Sequence, residues 1–164
     1  VIYIGIDNGL TGGLVALSDH HGLIVGKLAM PQSRYRSRNE INIRAIHIWL
    51  SEVTGGNLSN AEYVIEEPNN SRNPSTAYSV ASSFHSMRGF FEAKLLHFHR
   101  ITPQSWQTAM LGKLVKGESK PAALAKARQI WPDEKWLPTK RHRTPDEGLI
   151  DAALIAEYAR INQL

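Results

Sequence analysis

The stretch "VIYIGIDNGLTGGLVAL", residues 1–17, decides the fold. Val1, Ile2, Ile4 and Ile6 mark a buried strand, and that strand ends in Asp7, followed by the turn-forming pair Asn8 and Gly9. Even a polar group buried without a partner costs ~2–7 kcal/mol, and a charge costs more. Asp7 is therefore either an Asx-turn residue or the ligand of a cation. Gly13 to Ser18 reads as the returning strand, and "DHHG" (19–22) turns the chain into a third, about Leu23 to Met30. The three make an antiparallel meander.

Working outward, Pro31 to Asn39 is polar and basic and reads as a loop. From Glu40, the residues Ile43, Ala45, Ile46 and Trp49 recur at helical spacing until Gly55-Gly56. "AEYVIEE" (61–67) is a second buried strand that ends in acid, and "NNSRNPS" after it is a loop. A helix over Thr76 to Lys94, a strand over Leu95 to Ile101 and a short helix from Pro103 to about Leu111 follow. Ser119 caps a helix over Lys120 to Ile130, and a last helix runs from after Thr144 to about Arg160. The expected architecture is one α/β domain over residues 1–164, a mixed five-stranded sheet flanked by helices.

With 42% hydrophobic residues the chain can fill a core, and with no cysteine it has neither disulfides nor a thiolate zinc site. No apolar run reaches the ~20 residues of a membrane span, and the first residues lack a signal peptide's basic flank and cleavage site. The expectation is a cytoplasmic protein with no membrane partner. Nineteen Lys and Arg against fifteen Asp and Glu give a charge of +4, and the excess is clustered: Arg34, Arg36 and Arg38; Lys113, Lys116 and Lys120; Lys140, Arg141, His142 and Arg143. Such clusters are either solvated loops or contacts for the phosphate backbone of a nucleic acid.

Four acidic positions stand out. Asp7 and Glu66 lie at strand ends, and Glu147 and Asp151 share a face of the last helix, four residues apart. If the first strand is central and lies beside the fourth, Asp7 and Glu66 stand side by side, and a helix packed on the sheet can bring Glu147 and Asp151 to the same point. Repelling carboxylates persist together where divalent cations neutralise them. Oxygen donors without a His/Cys set favour Mg²⁺ or Mn²⁺ over zinc. Two such ions roughly 3.5–4 Å apart can activate water against a phosphodiester. Alternatives stay open. Glu67 competes with Glu66, because strand neighbours face opposite ways. Thr144-Pro145-Asp146-Glu147 has the form of a capping box, so Glu147 can be a cap and Asp146 the ligand in its place. Asp151, among Leu149, Ile150, Leu154 and Ile155, is hardest to explain structurally.

These residues together resemble the RuvC-type Holliday junction resolvases of the ribonuclease H-like superfamily, in particular the short RuvC-like proteins of phages and some bacteria. "IGIDNGLTGGLVAL" is similar to the family's first motif, "YVIEEPN" to its second, with the glutamate at Glu66, and "DEGLIDAALIA" to its third, ending at Asp151. "ITPQSWQTAMLG" also resembles a family segment, and the order of motifs spans nearly the whole chain. The resemblance implies a ribonuclease H-like fold, with Asp7, Glu66, Glu147 and Asp151 as catalytic metal ligands for two Mg²⁺ ions that Mn²⁺ can replace. It also implies a crossover junction endodeoxyribonuclease, acting as a homodimer that cuts four-way DNA junctions by paired symmetric nicks, with Lys120 near the DNA. A two-fold junction suits a two-fold protein, and Phe84, Met87, Phe90, Phe91 and Leu95 form either a dimer interface or core.

The chain departs from the family in three ways. "EPNNSRNPS" carries no aromatic wedge before Tyr78, Gln107 stands where a second family lysine is expected, and the acids of the last helix are four apart rather than three. A general branched-DNA or flap nuclease of the same fold and a non-catalytic DNA-binding module are the alternatives. "GIDNGLT" also has the form of the phosphate-binding turn of actin-like ATPases. Those proteins need a second such domain, so no nucleotide cofactor is expected.

Overall fold

Alternation along the first strand sends its side chains into two separate cores. The computed structural model describes residues 1–68, 73–115, 117–139 and 141–164. Its first part holds β1 (Ile2–Asp7), β2 (Gly13–Ser18), β3 (Ile24–Ala29), a hairpin of β4 (Gln32–Tyr35) and β5 (Arg38–Ile41), helix α1 (Ile43–Val53) and β6 (Ala61–Glu66). Helix α2 (Pro74–Ala93), β7 (His99–Ile101), and helices α3 (Pro103–Leu111), α4 (Ser119–Ile130) and α5 (Glu147–Asn162) follow.

The main sheet has the order β3-β2-β1-β6-β7. β1, β2 and β3 pair antiparallel, while β6 and β7 run parallel to β1. This is the expected mixed five-stranded sheet with β1 at its centre, next to the second acid-ending strand. Ile4, Ile6, Leu14, Ala16, Tyr63 and Ile65 face α1 and α2. Tyr3, Val15, Leu17 and Val64 face the core built with α3, α4 and α5. Gly5 lies directly under α5: a Cβ there would stand 2.1 Å from the carbonyl oxygen of Ala152. The missing side chain therefore sets how closely α5 approaches β1. The helix is buried along most of its length, from Gly148 to Ala159.

Side-chain caps fix several helix starts, each satisfying a main-chain N–H that the helix leaves unpaired. Asn42 accepts from the Ala45 amide at 3.0 Å, and Thr102 from that of Ser105 at 3.2 Å. Ser119 is the first residue of α4 rather than its cap; Glu118 holds the cap position without a side-chain hydrogen bond.

Several elements differ from the sequence reading. The predicted loop over residues 31–39 contains the β4–β5 hairpin, and Glu40 belongs to β5, so α1 starts three residues later. The hairpin is exposed on both strands except at Ile41, so it has no apolar alternation to betray it. The fifth strand of the main sheet is only three residues long, because the chain leaves α2 through Leu95, which takes a positive φ of 55°. Phe84, Met87 and Phe91 are buried under the sheet and Phe90 packs against them, so these are core residues; Leu95 alone is exposed. No helix among the described residues is long and apolar enough to cross a membrane.

Candidate active site

The parallel register of β1 and β6 pairs Gly5 with Val64 and Ile6 with Ile65, so the next step sets Asp7 beside Glu66. Both side chains point to the α5 side, the side of Tyr3, Gly5 and Val64. Glu67 points the other way and pairs with Arg100, whose Nη2 lies 2.6 Å from its Oε1. Register thus separates two adjacent glutamates that periodicity could not. The Asn8 side-chain amide donates to the main-chain carbonyl of Glu66, which ties the ends of the two strands together.

α5 brings the third acid. Its N-terminus meets the β1–β2 turn through a bridge between Gly12 and Gly148, and a Cβ on Gly148 would stand 2.3 Å from the Thr11 carbonyl oxygen. Asp146, not Thr144, caps the helix, its Oδ1 accepting from the Leu149 amide at 2.9 Å. The capping-box reading of Glu147 is therefore corrected: Pro145 lies outside the helix and Glu147 is its first residue. Glu147 is exposed and forms an ion pair with Lys120 from α4. Asp151, one turn further on, is half-buried and accepts no hydrogen bond from another described residue.

The electrostatics of these three half-buried acids are mutually unfavourable. Burial raises the Glu66 carboxyl to about 8; the charges of Asp7 and Asp151 add to this, and a hydrogen bond from Trp106 opposes it. Burial also raises Asp151 to about 7, with Asp7 and Glu147 adding and Lys120 opposing. Asp7 is raised by burial, held back by the Gly9 amide and pushed further by Asp146. The three therefore feel one another across the mouth of the β1–β6 pair, and no arginine or lysine enters between them at hydrogen-bond range among the described residues. A donor set of carboxylate oxygens, without imidazole or thiolate, fits hard divalent cations. The three do not close on one point as a single-ion cage would: among the described residues, the one group of three ligand atoms mutually within 4.8 Å lies elsewhere.

Trp106 went unread as a site residue in the sequence. Its Nε1 donates to Glu66 Oε1 at 2.7 Å from a fully buried position on α3. In sequence it looks like any core tryptophan, and only the fold places its one polar atom on the acid.

The basic clusters occupy the surroundings. Arg34, Arg36 and Arg38 lie on the exposed hairpin, which Gln32 joins to the β1–β2 turn through the Leu10 carbonyl at 2.6 Å. Arg38 stacks over Tyr78 of α2 at 4.9 Å. Between hairpin and helix runs a groove of about 410 Å³ lined by Leu10, Arg38 and the serines of α2, Ser75, Ser79 and Ser82 among them. A second hollow, of about 310 Å³, lies between α4 and α5 and is lined by Lys120, Glu147 and Asp151. Lys113, Arg141 and Arg143 are exposed in loops. Lys116, Lys140 and the segment 69–72, where the family's wedge would fall, lie outside the described residues.

No family model and no curated protein sequence matches the chain. Solved structures do. A structure described as T. thermophilus RuvC in complex with Holliday junction substrate superposes with a TM-score of 0.66 at 19% identity, covering 99% of this chain and 96% of that one. A second Thermus thermophilus RuvC structure gives 0.57 at 18% identity with the same coverage. At this identity the likeness speaks for architecture, and it spans nearly the full length of both chains: the chain has the RuvC-type, ribonuclease H-like fold.

Proposed function

We propose that the chain is a divalent-metal-dependent endonuclease that resolves four-way DNA junctions, working as a homodimer that makes two symmetric nicks. The observation that carries this reading is the convergence of Asp7, Glu66 and Asp151, three half-buried carboxylates with no cation between them among the described residues, at the sheet end of a basic chain with the RuvC fold. In this reading Asp7, Glu66 and Asp151 would hold two Mg²⁺ ions, with Glu147 completing the set at the rim, and such ions would supply water activation and charge neutralisation at the leaving oxygen.

The chain's own residues prepare that chemistry. The Gly9 amide and the Trp106 indole each fix one carboxylate oxygen, at 3.3 Å on Asp7 and 2.7 Å on Glu66, so the acids are oriented before substrate arrives. Partial burial reduces the screening of these carboxylates by bulk water. Lys120, exposed and paired only with Glu147, can turn to a phosphate oxygen. The arginine hairpin and the serine-lined groove hold the DNA strand by its backbone, arginines as charge and hydroxyls as neutral donors. Water adds at phosphorus as the P–O3′ bond breaks, which leaves a 5′-phosphate and a 3′-hydroxyl.

The test is cleavage, with Mg²⁺, of a mobile four-way junction beside flap, fork, duplex and RNA–DNA hybrid substrates. The junction is expected to be nicked at two symmetric positions, and Asp7→Asn to bind it without cutting. Equal cleavage of flaps would make the protein a general branched-DNA nuclease. Binding without cleavage of any substrate by the wild type would make it a DNA-binding module.

A further inference from the structure

At the opposite end of β6 from Glu66 stands a different set of ligating side chains. His97 and His99 flank Phe98 at the start of the edge strand β7, so the two imidazoles share a face. The register pairs Val64 with His99, and Glu62 and His97 each lie two residues before that pair. The two imidazole rings meet edge to face with centroids 4.7 Å apart. His99 Nε2 lies 3.8 Å from Glu62 Oε2, and one ligand atom from each of the three residues falls within 4.8 Å of the others. A separation of 3.8 Å is long for a hydrogen bond. It is near the about 3.4 Å that two donors take on a tetrahedral ion with bonds of about 2.1 Å.

We propose that Glu62, His97 and His99 bind one transition-metal ion of the zinc class, at a site separate from the carboxylates that face Asp7. Two imidazoles and one carboxylate suit Zn²⁺ and disfavour Mg²⁺, which prefers oxygen and keeps its waters. Three protein ligands leave at least one position for water. The site is about 13 Å along β6 from Glu66, at roughly 3.3 Å per residue, so the two sites load independently. His97 is exposed and Glu62 and His99 half-buried, so an ion enters without the fold opening. Bound there, it bridges β6 to a three-residue edge strand whose far end leads into the helix that carries Trp106.

The experiment is calorimetric titration of Zn²⁺ into the tag-free full chain held in excess Mg²⁺, with a parallel thermal melt. The wild type is expected to bind one equivalent and to melt higher with Zn²⁺. His97→Ala/His99→Ala, which changes no fully buried side chain, is expected to fold normally and lose both the equivalent and the shift. Glu62→Gln is expected to weaken binding, and Asp7→Asn to leave it unchanged. Zn²⁺ binding that persists in the double histidine variant would overturn the site, locating the ion at the exposed His20–His21 pair or the carboxylates instead. Absence of binding by the wild type would overturn it equally, and neither result depends on whether the protein cuts DNA.

Discussion

Two acids on α5, the half-buried Asp151 near its start and the buried Glu157 near its end, have opposite surroundings. Glu157 is only 5% exposed, but Arg160 from the next turn donates to both of its oxygens, at 2.7 and 2.8 Å. Asp151 has no such partner and faces Asp7 and Glu66, which repel it. Glu157 is satisfied inside the chain, whereas Asp151 finds no hydrogen-bond partner among the described residues, and in the proposed reading a bound divalent ion would supply one. One helix thus secures the fold at one end and, under the proposed function, gives up stability at the other, since a desolvated charge left uncompensated is costly.

Asp151 is the position where substitution has the largest expected effect. Asp151→Asn is expected to lower Mg²⁺-dependent cleavage by on the order of 10³-fold, the scale on which losing a transition-state charge contact is felt, and single-turnover kinetics on a junction would measure it. The same variant is expected to melt higher than the wild type in chelator at pH 8. Glu157→Gln should do the reverse. It is expected to destabilise by about 2 kcal/mol, in the range of charged hydrogen bonds and discounted because Arg160 is partly solvated. Below its melting temperature it should cut at the wild-type rate. Denaturant melts and cleavage assays on the two variants side by side test the pairing directly.

The pH dependence sharpens the same contrast. Glu66 and Asp151 hold their protons up to about 8 and about 7, against ordinary values of 4.5 and 3.8. A group whose carboxyl is raised on folding adds stability below its ordinary value, and that stability is lost as pH rises through the folded value. Metal-free protein is therefore expected to lose stability between about pH 4 and 8. Because ligands must shed protons to bind, Mg²⁺ should raise the melting temperature more at pH 8 than at pH 6. Asp151→Asn should flatten both trends. A smaller effect is expected from Trp106→Phe: without the indole N–H, the Glu66 carboxyl rises further and the pH–rate profile moves to the alkaline side.

Much of this architecture is legible in the chain itself. β1, β2 and β6 declare themselves because each is a short apolar run ended by acid or turn residues, and their pairing puts Asp7 next to Glu66. Asp151 is legible because nothing apolar around it tolerates a charge. What is not legible depends on contacts between distant segments. Glu66 and Glu67 are equivalent until the register of β6 turns one toward Asp7 and the other toward Arg100. The hairpin of β4 and β5 packs little of itself, so it leaves no hydrophobic pattern. The capping-box alternative for Glu147 fails because α5 begins at Glu147, two residues after Pro145, with Asp146 in the extended conformation of the cap. The His97–His99 spacing is visible in sequence, but its third member, Glu62, is 35 residues away and only strand pairing supplies it.

The central claim is that Asp7, Glu66 and Asp151 stand together to hold divalent ions. The most direct measurement is anomalous scattering from crystals grown with Mn²⁺. The account predicts two manganese peaks among these three carboxylates, lost in Asp7→Asn. Crystals with Mn²⁺ at saturating concentration and no peak between the ends of β1, β6 and α5 would contradict it.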